Sequence, residues 1–228
     1  MPTTNAPTFN GYTINTGNGK YYCDVNILKQ YDKRFQHMLS GHSRVLQKRL
    51  DARYPYDGSI QPEPEHIYRF TENLRRDLKR NNPLPEEGKK RSTGRKGSPA
   101  AHQVDPQILW VKEQQQENPH PHYHLVVLVN GNAIRQGWAV QKKAERQWAN
   151  ALGLDEAPGL VDNCNQSGPD SILVDKNKPD FDDKINKAYY QGSYLAKTRD
   201  KKHRAKGEWR SGGGTRVPKE KPARDTKK

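Results

Sequence analysis

The sequence predicts an α+β fold in which a central antiparallel sheet forms a split βαβ unit of the ferredoxin-like or RRM-like kind. Three observations predict it. The segments follow one another as strand, helix, strand, strand, helix, strand between residues 44 and 174. A polar turn joins the two middle strands, as in a hairpin. A further helix follows the last strand, so we expect two helices on one face of the sheet and the last helix across the other.

The first strand and the first helix of this unit are marked by a change in apolar spacing. Residues 44–54 mix apolar and basic side chains before Pro55 and Asp57, which predicts an edge-like strand. The segment from Pro62 to Glu65 alternates proline and glutamate, which predicts the start of a helix. Apolar side chains then recur at spacings of three and four, which predicts an amphipathic helix that ends near Asn82. These apolar positions are Ile67, Phe70, Leu74 and Leu78.

The hairpin is predicted at residues 107–130, with one strand at 108–111 and the other at 122–129. The second strand is apolar at every position from 125 to 129, so we expect it in the middle of the sheet, buried on both faces. Asn132 is expected to cap a helix that ends at Gly153. Two short strands and the last helix are predicted at 160–161, 172–174 and 182–197.

The chain is expected to contain one folded domain with basic appendages. Residues 1–40 predict an accessory N-terminal arm, with a weak helix at 25–39. Residues 41–200 form the domain, which a basic loop at 83–105 interrupts. Residues 201–228 are basic and punctuated by glycine and proline, which predicts a disordered tail.

The charge of the chain predicts a polyanionic partner. Its 228 residues carry a formal net charge of +14, and only 31% of them are hydrophobic. A strongly basic surface around a modest core favours binding to nucleic acid. The sequence has no long apolar run and no recognisable secretion signal, so we expect no membrane association and a cytoplasmic location. Cys23 and Cys164 lack paired spacing, which agrees with a reducing compartment.

His122 and His124 begin the second hairpin strand and, being two residues apart, point to one face. Ionisable side chains on a buried strand are costly unless they bind something, so the pair predicts a divalent cation. Glu113 ends the neighbouring strand and is the expected third ligand, with Glu117 in the turn as the alternative. Two histidines and one carboxylate leave coordination positions open and suit Mn²⁺ or Mg²⁺. His120 lies between prolines and is expected at the rim, where it could contact DNA.

The segment from Tyr190 to Lys197 predicts a nucleophile. Tyr190 and Tyr194 are four residues apart and Lys197 follows three residues later, so on a helix they share a face. A phenol that faces a metal-polarised phosphodiester can attack phosphorus and displace the 3′ oxygen, which leaves a 5′-phosphotyrosine. Lys197 could activate the phenol or balance the charge of the pentavalent transition state.

Together these motifs resemble those of the HUH endonucleases, and within them the replication initiators of filamentous phages, the inovirus gene-two type. The likeness spans roughly residues 40–202 and rests on four segments. These are His122–Gly131, Trp110–Gln114, Ser193–Lys197, and His42–Leu46 continued through Asp51 to Tyr54 and Pro55. The resemblance implies a Rep-type nicking domain, a site-specific DNA endonuclease and strand transferase. Such an enzyme cuts one strand at an origin, stays covalently attached, and rejoins the strand after a round of rolling-circle replication.

The same resemblance implies roles for individual residues. His122 and His124 match the metal pair, Glu113 the acidic third ligand, Tyr194 the nucleophile and Lys197 the lysine of a Tyr-x-x-Lys motif. Tyr190 matches the second tyrosine of relatives that use two, but relatives with one tyrosine are also common. The number of catalytic tyrosines therefore stays open.

Single-stranded DNA or replication-origin DNA is the expected substrate, and a host helicase and polymerase are the expected partners because the sequence has no Walker motif. Basic residues of the predicted loop are expected to contact DNA phosphates. They are Lys89, Lys90, Arg91, Arg95 and Lys96. Three alternatives stay open: an HUH transposase or relaxase, a non-catalytic nucleic-acid-binding module, and a metal-dependent hydrolase that forms no covalent intermediate.

Overall fold

The structure of the chain is a computed structural model, which describes residues 1–80, 103–114, 120–163, 171–198 and 211–218. Within these ranges the chain forms four helices and ten strands. The helices are α1 (Val25–Gly41), α2 (Pro64–Lys79), α3 (Gly137–Leu152) and α4 (Phe181–Ser193). The strands are β1 (Thr3–Thr4), β2 (Thr8–Phe9), β3 (Tyr12–Thr13), β4 (Cys23–Asp24), β5 (Arg44–Arg53), β6 (Gln107–Glu113), β7 (His122–Asn130), β8 (Val161–Asp162), β9 (Ile172–Asp175) and β10 (Gly212–Gly214).

A six-stranded antiparallel sheet forms the centre of this α+β fold. Its strands lie in the order β10, β6, β7 and β5, and both β8 and β9 pair with the other side of β5. The pairing of β5 with β7 runs from Val45 opposite Asn130 to Arg53 opposite His122. The prediction that β5 lies at an edge is wrong, because the short strands β8 and β9 occupy its second side.

Helices cover both faces of this sheet. α2 and α3 pack on one face, in a core that includes Leu50, Phe70 and Trp148. α1 and α4 pack on the other face, around Phe35 and Tyr189. Successive residues of β7 point alternately into these two cores, which explains its continuous apolar run. None of the helices in the described ranges has the length and apolar character needed to cross a membrane.

The segment predicted as an accessory arm forms part of the second core. The Oη atom of Tyr31, on α1, lies 2.6 Å from Gln47 Oε1 and 2.9 Å from the carbonyl oxygen of Ala188. Gly192 allows α4 to approach this ring, because a Cβ atom there would lie 2.4 Å from Tyr31 Cζ. α1 therefore helps to fix the position of α4 on the sheet.

Helix α3 begins later than predicted and ends where predicted. Its N-cap is Gln136 and not Asn132. The backbone N of Asn132 instead donates a hydrogen bond to Asn130 Oδ1 at 2.9 Å, which forms a turn before the helix. The helix ends at Gly153, whose φ of 73° is the left-handed conformation expected of a C-terminal glycine.

The tail predicted to be disordered contains an ordered edge strand, β10, which pairs with β6. Arg34 Nη2 secures the chain after it by donating a hydrogen bond to the carbonyl of Thr215 at 2.6 Å. A Cβ atom at Gly214 would lie 2.4 Å from Ile108 O, so glycine permits the close approach of the two backbones. The prediction of disorder is therefore wrong for residues 211–218, because a glycine run resembles a loop when its distant partner strand is unknown.

Candidate metal centre and tyrosine site

The ends of three adjacent strands bring polar side chains to one face of the sheet. Glu113 of β6 lies opposite His122 of β7, and His124 lies between Val111 of β6 and Asp51 of β5. Residues that are directly opposite in an antiparallel pair point to the same face, as do residues two apart on one strand. The four polar side chains therefore project together, on the face that α1 and α4 cover.

Three of these side chains form a cluster that can hold a metal ion. The ligand atoms of Glu113, His122 and His124 all lie within 4.8 Å of one another. Glu113 Oε2 is 2.9 Å from His124 Nε2 and 3.6 Å from His122 Nε2. Around an ion with bonds of about 2.1 Å, neighbouring ligand atoms lie about 3–3.5 Å apart, so small movements suffice for coordination. The structure thus brings the three predicted ligands together.

A carboxylate that was not predicted holds His124 from its other side. Asp51 contacts the Nδ1 atom of His124, and both Asp51 and Glu113 are buried. Burial lowers the pKa of His124, but the contacts with Asp51 and Glu113 outweigh burial, so the pKa is raised above its usual value. The imidazole thus lies between two buried carboxylates, which favour either a proton or a metal ion on Nε2. This donor set fits a divalent cation.

Tyr194 lies directly beside the three candidate metal ligands. Its ring centroid is 5.6 Å from that of His124, and the two ring planes are at 87°. Lys197 Nζ lies 3.4 Å from Tyr194 Oη and donates a hydrogen bond to it. On another side, the guanidinium carbon of Arg49 lies 4.5 Å from the centroid of the Tyr194 ring. Two cations thus flank the phenol, where they attract negative charge that develops on its oxygen.

Tyr194 follows the end of α4 and begins a short 3-10 turn, Tyr194–Ala196. The prediction of one helix through Lys197 is therefore wrong in its last turn. The chain leaves the helix because it pairs with the N-terminal segment: Lys197 forms a β-bridge with Cys23, and the backbone N of Thr198 donates to Tyr22 O at 2.9 Å. The turn is thus held at one end by α4 and at the other by β4.

Tyr190 lies on α4 beside a cavity of about 480 Å³. Its side chain is 45% exposed, and within the described residues its ring contacts neither histidine ring. The cavity also receives side chains from the N-terminal segment, from β5 and from β9. The structure therefore places Tyr194, and not Tyr190, against the metal ligands.

One protein family, described as the YagK/YfjJ C-terminal domain, has a model that matches residues 4–213. The chain belongs to this family. No curated protein and no solved structure matches it. The range that the YagK/YfjJ model matches includes most of the N-terminal segment, the candidate metal-ligand cluster, Tyr194 and the first two residues of strand β10.

Three residues of this YagK/YfjJ domain lie at the site but were not predicted. Asp51 and Arg49 reach it through the pairing of β5 with β7, which the sequence pattern does not specify. Tyr21 reaches it from the N-terminal segment, since Lys197 Nζ lies 5.8 Å from the centroid of the Tyr21 ring. Burial raises the pKa of Tyr21 to about 12. No local motif marks Tyr21, whereas the alternation of residues on β5 places Asp51 and Arg49 on one face.

The remaining predicted contacts are those of His120, of Glu117 and of the basic loop. His120 is partly buried and precedes β7. The alternative ligand Glu117 and the predicted DNA contacts of the basic loop lie outside the described residues of the YagK/YfjJ domain. These loop residues are Lys89, Lys90, Arg91, Arg95 and Lys96.

Proposed function

We propose that the chain is a metal-dependent DNA endonuclease of the HUH type, which nicks one strand and rejoins it through a 5′-phosphotyrosine. The observation that carries the proposal is the position of Tyr194. Its ring lies against His124, and its hydroxyl lies 3.4 Å from Lys197 Nζ. A phenol, a cation that can balance its charge, and a set of metal ligands thus share one site, as covalent phosphoryl transfer requires.

The order of the strands supports the expectation that the fold contains a ferredoxin-like split βαβ unit. Along the chain the elements come in the order β5, α2, β6, β7, α3, β8 and β9, and four of the strands lie in the spatial order β6, β7, β5 and β9. Without β8, the same order is expected of a split βαβ unit of the ferredoxin-like and RRM-like kind, which supports this part of the proposal. In this proposal, α1, β8 and β10 are additions to that unit, and α4 crosses its second face and positions Tyr194.

The proposed reaction exchanges one phosphodiester for another. The oxygen of Tyr194 bonds to phosphorus as the bond from phosphorus to the 3′ oxygen breaks. The phenol loses its proton and the leaving 3′ oxygen gains one, so the products are a 5′-phosphotyrosine and a free 3′ hydroxyl. Lys197 balances the negative charge that develops between these states. A Mn²⁺ or Mg²⁺ ion held by the three ligands would neutralise charge on the non-bridging oxygens.

We propose single-stranded DNA at a replication origin as the substrate and initiation of rolling-circle replication as the role. The net charge of +14 suits a substrate with a phosphate backbone. A host helicase and polymerase are the proposed partners, since nicking supplies only the 3′ end from which synthesis proceeds. A transposase or relaxase would use the same chemistry on a transposon end or a transfer origin.

A gel assay tests the nicking step. The protein is incubated with Mn²⁺ and a library of single-stranded oligonucleotides that contain hairpins, labelled at either the 3′ or the 5′ end, and is then denatured. We expect the 3′-labelled fragment to stay on the protein and the 5′-labelled fragment to be released. Tyr194→Phe should form no adduct, because it lacks the attacking oxygen. The double variant His122→Ala and His124→Ala should show no metal-dependent cleavage.

The control is a second pair of histidines, His37 and His42, which both contact Asp105 at 3.2 Å and not the metal ligands. Their double alanine variant should still form the adduct. Free ends without an adduct would identify a hydrolase instead, and binding without cleavage would identify a non-catalytic module. An adduct that forms in Tyr194→Phe would overturn the assignment of the nucleophile.

A further inference from the structure

Arg49 is a buried cation whose hydrogen-bonding capacity the protein does not fully use. Its side chain lies on β5 and the residue is only 8% exposed. Its Nε atom is buried and has no hydrogen-bond partner among the residues that the structure describes. A buried guanidinium with an unused donor destabilises the protein unless a ligand satisfies it. Arg49 also lines the cavity beside Tyr190, so its guanidinium charge acts on an anion bound in that cavity.

The size and the walls of the cavity suit a nucleotide. A volume of about 480 Å³ lies within the range of sites that bind small molecules. β5 and β9 contribute Arg49 and Ile172, α4 contributes Tyr190 and Gln191, and β3 contributes Thr13. The half-exposed ring of Tyr190 offers an aromatic face on which a base can stack. Arg49 offers the positive charge that a phosphate requires.

The walls of the cavity are held in place by hydrogen bonds. The backbone N of Thr13 donates to Asn186 Oδ1 at 3.0 Å, and the backbone N of Asn15 donates to Ser193 Oγ at 2.8 Å. These bonds connect the N-terminal segment directly to α4. The cavity is therefore formed before any ligand enters, which reduces the entropy lost on binding.

We propose that this cavity binds the nucleotide of single-stranded DNA that flanks the scissile phosphate, with Arg49 contacting a phosphate and Tyr190 stacking on the base. The proposal rests on the proposed function, because Arg49 links the cavity to Tyr194. The contact between its guanidinium carbon and the Tyr194 ring, at 4.5 Å, places the bound phosphate beside the nucleophile. It gives Tyr190 a role in substrate binding and not in bond cleavage.

A binding assay without cleavage tests this proposal. All variants are made in the Tyr194→Phe protein and are studied with EDTA, using single-stranded oligonucleotides that carry 2-aminopurine at successive positions. We expect fluorescence quenching on binding, and Tyr190→Ala should abolish it and weaken binding at least about fivefold. Tyr190→Phe should restore both, because stacking needs the ring and not the hydroxyl. The control is Tyr68→Ala: Tyr68 is 46% exposed and lies on α2, against the opposite face of the sheet.

Arg49 is tested by the salt dependence of binding. Arg49→Gln should reduce the slope of log K against log salt by about one, and Arg49→Lys should keep it, as a phosphate contact requires. Arg76→Gln, on the exposed side of α2, should leave the slope unchanged. Far-UV circular dichroism establishes that each variant is folded, and the Tyr190 variants carry the test if Arg49→Gln is not.

Failure of this proposal is distinguishable from failure of the proposed function. If the covalent adduct forms in the gel assay but 2-aminopurine fluorescence is still quenched on binding to the Tyr190→Ala variant, the cavity proposal is wrong and the nicking function stands. An unchanged salt slope in Arg49→Gln overturns it in the same way. Quenching that depends on Tyr190 without any adduct would support the cavity as a nucleotide site and reject nicking.

Discussion

Replacing Asp51 by asparagine should weaken metal binding without removing a ligand. Asp51 is buried and contacts the Nδ1 atom of His124, while the Nε2 atom of His124 faces Glu113. The carboxylate therefore orients the imidazole and increases its affinity for a cation. Loss of such a partner typically costs about 10–100-fold in metal affinity, which corresponds to about 1.4–2.8 kcal/mol. Asparagine keeps the volume of the side chain, so the change isolates the charge.

The affinity is measured by competition with a chromophoric chelator for Mn²⁺ or Zn²⁺ at fixed pH. Asp162 is the matched control, because it lies directly opposite Asp51 in the pairing of β5 with β8. Both carboxylates lie near Arg53: its Nη2 atom is 3.8 Å from Asp51 Oδ2, and its Nη1 atom is 3.4 Å from Asp162 Oδ2. The Asp162 side chain is 46% exposed, so Asp162→Asn should leave the affinity unchanged.

Two outcomes would refute this reasoning. Equal metal affinity in Asp51→Asn and the unmodified protein would mean that the contact with His124 does not tune the site. An equal loss in both asparagine variants would mean that the effect comes from the general charge of this end of the sheet.

Two further predictions concern stability. Asp77 accepts hydrogen bonds from Lys143 Nζ at 2.9 Å and from other α3 side chains; burial raises its pKa, but these bonds outweigh burial and hold the pKa below its usual value. Asp77→Ala should therefore lower the free energy of unfolding by about 3–5 kcal/mol near pH 7, as measured by urea titration. The difference between the two proteins should shrink below about pH 4, because Asp77 stabilises the fold only while its carboxylate is ionised. A difference independent of pH would contradict it. Gly192→Ala should lower the free energy of unfolding by about 1–3 kcal/mol, despite the higher helix propensity of alanine, because the new Cβ atom meets the Tyr31 ring. The control is Gly41→Ala, which should not destabilise the protein because the space around Gly41 is open. Equal melting temperatures for the two alanine variants would contradict this.

The elements that position the site could be predicted because each has a local signal. The apolar run of β7 and the three-and-four spacing of α2 follow directly from the order of residues. The cluster of Glu113, His122 and His124 could also be predicted, since the two strands that carry it are neighbours in sequence. Such strands usually pair with each other, so the residues that face each other can be inferred.

Asp51 and Arg49 could not be predicted, because they depend on the register between β5 and β7. These strands are distant in sequence, and a shift of one residue would turn both side chains to the opposite face. Their charges made β5 resemble an exposed edge. β10 was missed for a related reason: its glycines carry no apolar signal, and its position depends entirely on pairing with β6.

The attachment of Lys197 to Cys23 has a mechanical consequence for the proposed reaction. A DNA strand joined to Tyr194 would pull on a short turn that is tethered at both ends. One tether is α4; the other is β4, which leads directly into α1, where Asp24 caps the helix by accepting from Asn26 N. Tension would therefore be shared between two helices embedded in the same core. This would preserve the distance from the proposed phosphotyrosine to the candidate metal ligands while the tethered strand is moved away.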